Sequence, residues 1–168
     1  KDMARHARPV AAALEAGDVP AARAAVQRVV GRDAAVLDAP GVARAAVESV
    51  AESFVDGFFA PVCWFLAAAA LAGVAGADAL PLAVGATLAH RTINTLDSMV
   101  GYRDERYLLF GRVSARLDDA VNFIPARLSL PLLFAAASSC RLDARAGWRV
   151  ACRDRLKHAS PNAAHAES

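Results

Sequence analysis

The chain has 168 residues, of which 56% are hydrophobic and 21% are charged, and its formal net charge is +2. That length suffices for one domain with a sizeable core, and the hydrophobic share is above that of ordinary soluble domains. The small net charge and the lack of a basic stripe with interleaved aromatic residues argue against a nucleic-acid-binding protein. The three cysteines, Cys63, Cys140 and Cys152, form no CxxC pair, which argues against a zinc site or a disulfide framework.

The first forty residues are rich in alanine and arginine and predict amphipathic helices. Gly17 and Asp18 interrupt this pattern; Asp18 is placed to cap a second helix, and Pro20 falls in its first turn. The first thirty residues contain no secretory apolar segment, and the basic character of residues 1–40 predicts a cytoplasmic location. Because the chain opens on Lys1 rather than methionine, we expect a fragment of a longer protein.

Residues 42–56 have a strongly helical pattern. Charged side chains recur at every fourth position and share one stripe of this helix. The stripe consists of Arg44, Glu48, Glu52 and Asp56. We expect Gly57 to end the helix, and the two glutamates to face the segments that contain Asp97 and Asp118.

Three apolar segments, residues 58–77, 79–89 and 128–140, lie in a predicted core at residues 41–140. The first has no charge over about 20 residues, the length of a bilayer-crossing helix. The third is too short to span alone at about 1.5 Å rise per residue, so we expect it to be re-entrant or buried among other helices. The arginine-rich tail at 141–168 is cytoplasmic by the positive-inside rule, which favours an even number of crossings.

These segments predict an all-α, polytopic helical membrane protein. Residues 1–168 would form a single membrane-embedded domain, incomplete at both ends, whose polar helices converge on an interior pocket. The alternative from composition is an alanine-rich soluble helical bundle, because apolar runs of 10–14 residues also mark buried core helices.

Polar residues interrupt the apolar pattern at residues 90–107. If this segment is helical through Val100, three polar side chains lie along one side of the helix, with Asp97 adjoining them. The three are Arg91, Asn94 and Ser98. His90, at the end of an apolar run, is more typical of a core or helix-end histidine than of a catalyst.

A second polar segment covers residues 111–128. Asn122 is an i,i+4 neighbour of Asp118 and an i,i+3 neighbour of Asp119, and Pro125 is expected to kink or end the helix. A solvated, salt-bridged helix face would explain either polar segment alone. Ionisable groups next to membrane segments, however, usually face an interior cavity.

Several reaction classes are excluded by missing motifs. The chain has no GxxxxGK[ST] for a P-loop nucleotide site, and neither GxSxG nor HExxH. The chemistry-bearing side chains that remain are carboxylates, guanidinium groups and amides, which suit Mg²⁺ and phosphate better than acyl-enzyme or zinc chemistry.

A series of sequence blocks resembles one family. In order, the blocks are GRD at 31–33, RAAVESVAESFVDGFFAPVCW at 44–64, NTLDSMVGYRDERY at 94–107, SARLDD at 114–119, NFIPARL at 122–128 and SPN at 160–162. Together they resemble the middle portion of the cobinamide-phosphate synthase family (CobD/CbiB type) of cobalamin biosynthesis. Ala164-His165 departs from the glycine–tryptophan-like continuation of that family.

The resemblance implies a multi-pass enzyme of the cell inner membrane with a cytoplasm-facing site. Such an enzyme joins cobyric acid, through a propionate of its corrin ring, to aminopropanol or its phosphate, and ATP drives formation of the amide bond. Mg²⁺ is inferred with ATP. The implied partners are the corrinoid, the amino alcohol and the lipid bilayer, with other membrane enzymes of the pathway as candidates.

Roles follow from this chemistry as hypotheses. Asp118 and Asp119 are the candidates for Mg²⁺, and Asn94 and Asn122 for substrate contacts. Candidates for phosphate or corrin carboxylates are Arg91, Arg103, Arg116 and Arg127. Candidates for the amine, or for the base that takes its proton, are Glu48, Glu52, Asp56 and Asp97. The rival is a non-catalytic membrane sensor or accessory protein, in which these polar residues hold helices together.

Overall fold

The structure is a computed structural model that describes residues 2–31, 33–100, 111–141, 143 and 147–149. Its elements are helices, as the sequence predicts. They are α1 Asp2–Glu15, α2 Val19–Val26, α3 Ala39–Phe54, a π-helical turn Val55–Phe59, α4 Ala60–Ala75, α5 Ala79–Val100 and α6 Gly111–Ser139. The tail at 150–168 and Arg103 lie outside the described residues.

The described chain separates into two compact units, with the division between Phe54 and Val55. The first unit contains α1 to α3, and the second contains the π-helical turn and α4 to α6. The single membrane-embedded domain, with its cytoplasmic and core regions, stays a prediction.

The first unit is a small three-helix cluster. Its buried core consists of Val10, Ala22, Val26, Ala34, Val42 and Ala45. Asp18 caps α2 as predicted, since its Oδ1 accepts a hydrogen bond from the Ala21 N–H at 2.9 Å, and a proline occupies the first turn. The segment between α2 and α3 is held by Arg23, whose Nε donates to the Leu37 carbonyl at 2.6 Å.

The second unit is built on an α4–α5 hairpin against which α6 packs. α4 ends at Gly76, whose φ of +66° is the left-handed conformation that glycine adopts without strain. Ala60, Ala72 and Ala83 are fully buried in these helices. Their small side chains let neighbouring helices approach closely, which is how helices pack where lipid replaces water.

Gly57 does not end the helix that precedes it, contrary to the sequence prediction. The chain passes from α3 into the π-helical turn Val55–Phe59 and on into α4. Pro61 has no N–H to bond the carbonyl of Gly57, so the α-helical ladder cannot continue unchanged there. The wider turn accommodates this break without ending the helix, and such turns are frequent at functional sites.

Pro125 does not end α6 either, because α6 runs from Gly111 to Ser139 with Pro125 inside it. A proline in a helix leaves the carbonyl four residues earlier without its N–H partner. Here that carbonyl belongs to Val121, and the indole Nε1–H of Trp64 donates to it at 3.0 Å. A side chain from α4 therefore supplies the hydrogen bond that Pro125 removes.

Two helical stretches are long and apolar enough to cross a membrane by length and composition, Ala39–Ala75 and Gly111–Ser139. The first includes most of the predicted segment 58–77. The segment 128–140 is too short to span alone, but it is largely the end of the 29-residue helix α6, which is about 43 Å long at 1.5 Å per residue. The segment 79–89 is the start of α5.

The apolar side chains of these stretches mostly face outward. Only 11% of the most apolar window of Ala39–Ala75 is buried, and 22% of that of Gly111–Ser139. Exposed examples include Leu66, Leu71, Val74, Ile124 and Leu128. Core helices of soluble proteins bury such residues, so this surface favours a membrane-embedded protein over the soluble bundle.

Candidate functional site

Three helical elements of the second unit bring polar side chains to one point. Asn94 of α5 uses its Nδ2 to donate to Asp56 Oδ2 at 3.2 Å and to Asp118 Oδ1 at 3.4 Å. Asp56 lies in the π-helical turn and Asp118 in α6. Two carboxylates that are 62 positions apart in the sequence thus share one amide nitrogen, and three of the predicted site residues meet.

The network extends along α6 and back to α5. Asn122 Nδ2 donates to Asp118 Oδ2 at 3.0 Å, as the i,i+4 spacing predicts. Asn122 Oδ1 lies 2.9 Å from His90 Nε2. Both His90 and Asn122 are only 2% exposed, which confirms the prediction of a core histidine.

His90 was not assigned to the site from the sequence. The sequence does contain a pattern that indicates His90 as a site residue. His90, Asn94 and Asp97 are spaced i, i+4, i+7 and so share one stripe of α5. What the sequence alone does not provide is the partner across the helix interface. Asn122 lies 32 residues later, and only the packing of α6 on α5 brings the two together.

The carboxyl group of Asp97 has a pKa above the ordinary aspartate value. Burial raises its pKa, and the negative charges of Asp118 and Asp119 raise it further. Asp97 lies in α5, which is not one of the two candidate spans. The contribution of Asp118 and Asp119 reflects negative charge close to Asp97, and a cation bound there would relieve that repulsion.

The predicted arginines are spread more widely. Arg91 Nη1 donates to the backbone carbonyl of Asp56 at 3.4 Å, which places this guanidinium at the edge of the carboxylate cluster. Arg127 lies over the ring of Phe123, 3.4 Å from the ring centroid, and donates to the Phe123 carbonyl. Arg116 is exposed.

Glu48 and Glu52 belong to the first unit. They line a cavity of about 250 Å³ whose other walls include Val29, Val30 and Gly31. Glu48 is half-buried and Glu52 is exposed. Their predicted orientation towards Asp97 and Asp118 stays a prediction, because those residues belong to the second unit.

The carboxylates of the cluster could supply only part of a Mg²⁺ site, with water and phosphate oxygens as the other ligands. Within the described part of the chain, no three His, Cys, Asp or Glu side chains form a group that could hold a metal. Mg²⁺ usually takes only one or two protein carboxylates and completes its octahedron with water and phosphate oxygens. Asp118 could supply one such ligand, since a carboxylate oxygen that accepts one hydrogen bond retains a second lone pair.

Comparison with known proteins gives one family. The family model described as "CobD/Cbib protein" matches residues 1–168. The chain is 49% identical to the cobalamin biosynthesis protein CobD of Rhodobacter capsulatus, over all of this chain and 48% of that protein. The proteins of the same name from Desulfotalea psychrophila and Klebsiella pneumoniae are 41% and 45% identical, with 100% and 99% of this chain and 51% and 48% of theirs covered.

The chain spans about half the length of the curated relatives that it matches. No solved structure matches it. The match to the family model extends over the whole chain and includes every block of the ordered series, from Gly31 to Asn162. The chain therefore belongs to the CobD/CbiB family.

Proposed function

We propose that this chain is part of a membrane enzyme of cobalamin biosynthesis that forms an amide bond at the expense of ATP. The acid would be a propionate of cobyric acid, the amine aminopropanol or its phosphate, and the product cobinamide or its phosphate. The observation that carries the proposal is that Asn94 joins the carboxylates of Asp56 and Asp118, while the charge of Asp118 acts on the carboxyl group of Asp97. Family membership supplies the pathway.

The chemistry requires activation of a poor electrophile. The carboxylate oxygen attacks the terminal phosphorus of ATP, the bond to ADP breaks, and an acyl phosphate forms. The amine nitrogen then attacks the acyl carbon, phosphate leaves, and one proton passes from nitrogen to a base. Both steps depend on positioning and on cations that offset phosphate charge.

The carboxylate cluster supplies groups for both steps. Asp118, with Asp119, would hold Mg²⁺ against the nucleotide phosphates. Asp97 is suited to accept the amine proton, because its raised pKa makes it a stronger base than an ordinary aspartate. Arg91, at the edge of the cluster, would pair with a phosphate or a corrin carboxylate.

The membrane is part of the proposal. The outward-facing apolar surfaces of the two candidate spans support insertion in the inner membrane as a multi-pass protein. ATP and a large corrinoid are available from the cytoplasm, so the carboxylate cluster would open to that side. Other membrane enzymes of the pathway are candidate partners.

The direct test is an assay of the full-length protein in detergent or vesicles. Cobyric acid, ATP and Mg²⁺ are incubated with aminopropanol phosphate, and in parallel with aminopropanol or ethanolamine, and the amide and ADP are quantified by mass spectrometry. We expect equal amounts of amide and ADP with one of these amines. Corrinoid binding without amide or ADP would support a sensor or accessory protein and overturn the enzyme.

A further inference from the structure

We propose that His90 is a positioning residue that holds the carboxylate of Asp118 in place through Asn122. This inference rests on the proposed function for its catalytic consequence. Its structural part, the direction of each hydrogen bond in the chain from His90 to Asp118, is independent of any reaction.

The carboxylate determines the orientation of Asn122. An ionised carboxylate only accepts hydrogen bonds, so the group of Asn122 that lies 3.0 Å from Asp118 Oδ2 is the amide nitrogen. The opposite orientation would put two acceptor oxygens against each other. Asn122 Oδ1 is therefore the atom that faces His90.

The orientation of Asn122 in turn determines the tautomer of His90. An amide oxygen accepts hydrogen bonds, so the imidazole nitrogen 2.9 Å away, Nε2, carries the proton and donates. The proton directions then run from His90 to Asn122 and from Asn122 to Asp118. His90 Nδ1 is buried and has no hydrogen-bond partner among the described residues.

Burial protects the end of this hydrogen-bond network at His90 and Asn122. His90 and Asn122 are each 2% exposed, so the hydrogen bond between them is shielded from water, while the one from Asn122 to Asp118 is part-buried. Asp118 is held from both sides, at Oδ1 by Asn94 and at Oδ2 by Asn122. Without the His90 donor, Asn122 loses the contact that keeps its nitrogen towards Asp118. Partners of this kind, one step from a metal-binding carboxylate, typically change affinity or activity by about 10–100-fold when removed.

The activity test compares two substitutions at one position. His90→Gln can still present an N–H near the place of Nε2, whereas His90→Leu keeps apolar bulk and removes the donor. In the full-length protein, we expect His90→Leu to lower kcat by about 10–100-fold and to raise the Mg²⁺ concentration for half-maximal rate. The KM for the amine should stay close to that of the wild type. His90→Gln should recover most of kcat.

The matched control is Ser129→Ala. Ser129 is buried on α6, the helix that carries Asn122, and its hydroxyl donates to the Ala126 carbonyl of that helix. This variant should keep wild-type kcat and Mg²⁺ dependence. A His90→Gln protein as stable as the wild type but as slow as His90→Leu would overturn the positioning role. So would a His90→Leu protein with wild-type kcat.

A double substitution tests whether His90 acts through Asn122. If it does, His90→Leu combined with Asn122→Leu should be no slower than Asn122→Leu alone, since the second change removes a contact that is already lost. Multiplying effects would contradict action through Asn122. Multiplying effects would not contradict the proposed amide ligase reaction. The double substitution therefore tests the role of His90 separately from the proposed function.

A spectroscopic test needs no activity. The ¹⁵N spectrum of protein labelled at histidine, assigned with His90→Gln, should show His90 with a protonated Nε2 and an unprotonated Nδ1. Addition of Mg²⁺ should shift the Nε2 resonance in the wild type but not in Asp118→Asn. A protonated Nδ1 with a bare Nε2 would overturn the inference even if the amide ligase reaction proved correct. The predicted tautomer would support it even if the assay found no amide.

Discussion

At the residue scale, Asp118 is the carboxylate on which the proposed chemistry depends. Its two oxygens accept hydrogen bonds from two different helices, so its position is set by packing as well as by its own helix. Asp118→Asn removes the charge and one of the acceptors. We expect about 1 kcal/mol of lost stability and turnover reduced at least about 100-fold, roughly 2.7 kcal/mol of transition-state stabilisation.

Asp119→Asn should reduce turnover to a similar extent with a smaller effect on stability. The control is Asp78→Asn, an exposed aspartate between α4 and α5 whose Oδ1 accepts from the Leu80 N–H at 3.2 Å. The measurements are amide formation at saturating Mg²⁺ and ATP, and the unfolding temperature in detergent. Near-wild-type turnover of both Asp118→Asn and Asp119→Asn would exclude this site.

The raised pKa of Asp97 predicts how the stability of the folded protein depends on pH. Its pKa is raised in the folded protein by burial and by Asp118 and Asp119. The folded state therefore binds this proton more tightly than the unfolded chain does. Stability is consequently lost as pH rises from the ordinary aspartate pKa through the raised value. Asp97→Asn should remove this loss, so its unfolding temperature relative to the wild type should increase as pH rises through the acidic range.

Asp118→Asn tests whether the charge of Asp118 contributes to the raised pKa of Asp97. It removes one of the two charges that repel the Asp97 carboxylate, so the pKa of Asp97 should fall towards its usual value. The pH range over which stability declines should move down accordingly. An identical pH profile of stability in the wild type and in Asp97→Asn would contradict the assignment.

At the element scale, the continuity of α6 depends on a contact from α4. The Trp64 indole N–H satisfies the Val121 carbonyl that Pro125 leaves without its helical partner. Trp64→Phe should therefore lower the free energy of unfolding by about 1–3 kcal/mol, mainly because a backbone acceptor is left unpaired. Thermal unfolding in detergent is the measurement.

Pro125→Ala gives this prediction its control. Alanine restores an N–H at position 125 that can bond the Val121 carbonyl, so Trp64→Phe should cost much less in that background. Trp148→Phe is the matched substitution elsewhere, since Trp148 is 51% exposed and packs edge-on against Phe134. Equal costs of Trp64→Phe with and without Pro125 would show that the loss comes from packing alone.

At the scale of the whole molecule, the outward-facing apolar surface of the two candidate spans predicts a membrane location. Only 11% and 22% of the apolar windows of these two helical stretches are buried, and large exposed apolar surfaces are typical of membrane or protein contacts. We expect the full-length protein to fractionate with membranes and to resist extraction by high salt or alkaline carbonate. A monodisperse particle recovered from the soluble fraction without detergent would contradict the membrane assignment.

The sequence by itself determined the helical class, the Asp18 cap and the helical face shared by Asp118 and Asn122, because these depend on neighbours within one turn. It also carried family membership, since an ordered series of blocks is a property of the chain alone. It predicted an end of the helix at Gly57 and a kink or an end at Pro125, whereas the helices continue past both positions. Local rules favour a break at both positions, and at Pro125 the compensating hydrogen bond comes from Trp64, 57 residues away.

Only the tertiary structure decided which polar residues meet. Asp56, Asn94 and Asp118 were all candidates, but so were residues that the structure does not bring to them, such as the exposed Arg116. His90 belongs to the cluster because the packing of the helices brings it to Asn122, which is 32 residues away in the sequence. Periodicity places a side chain on one face of its own helix, whereas the contacts of that face depend on how helices pack, and the pattern within one helix does not contain that information.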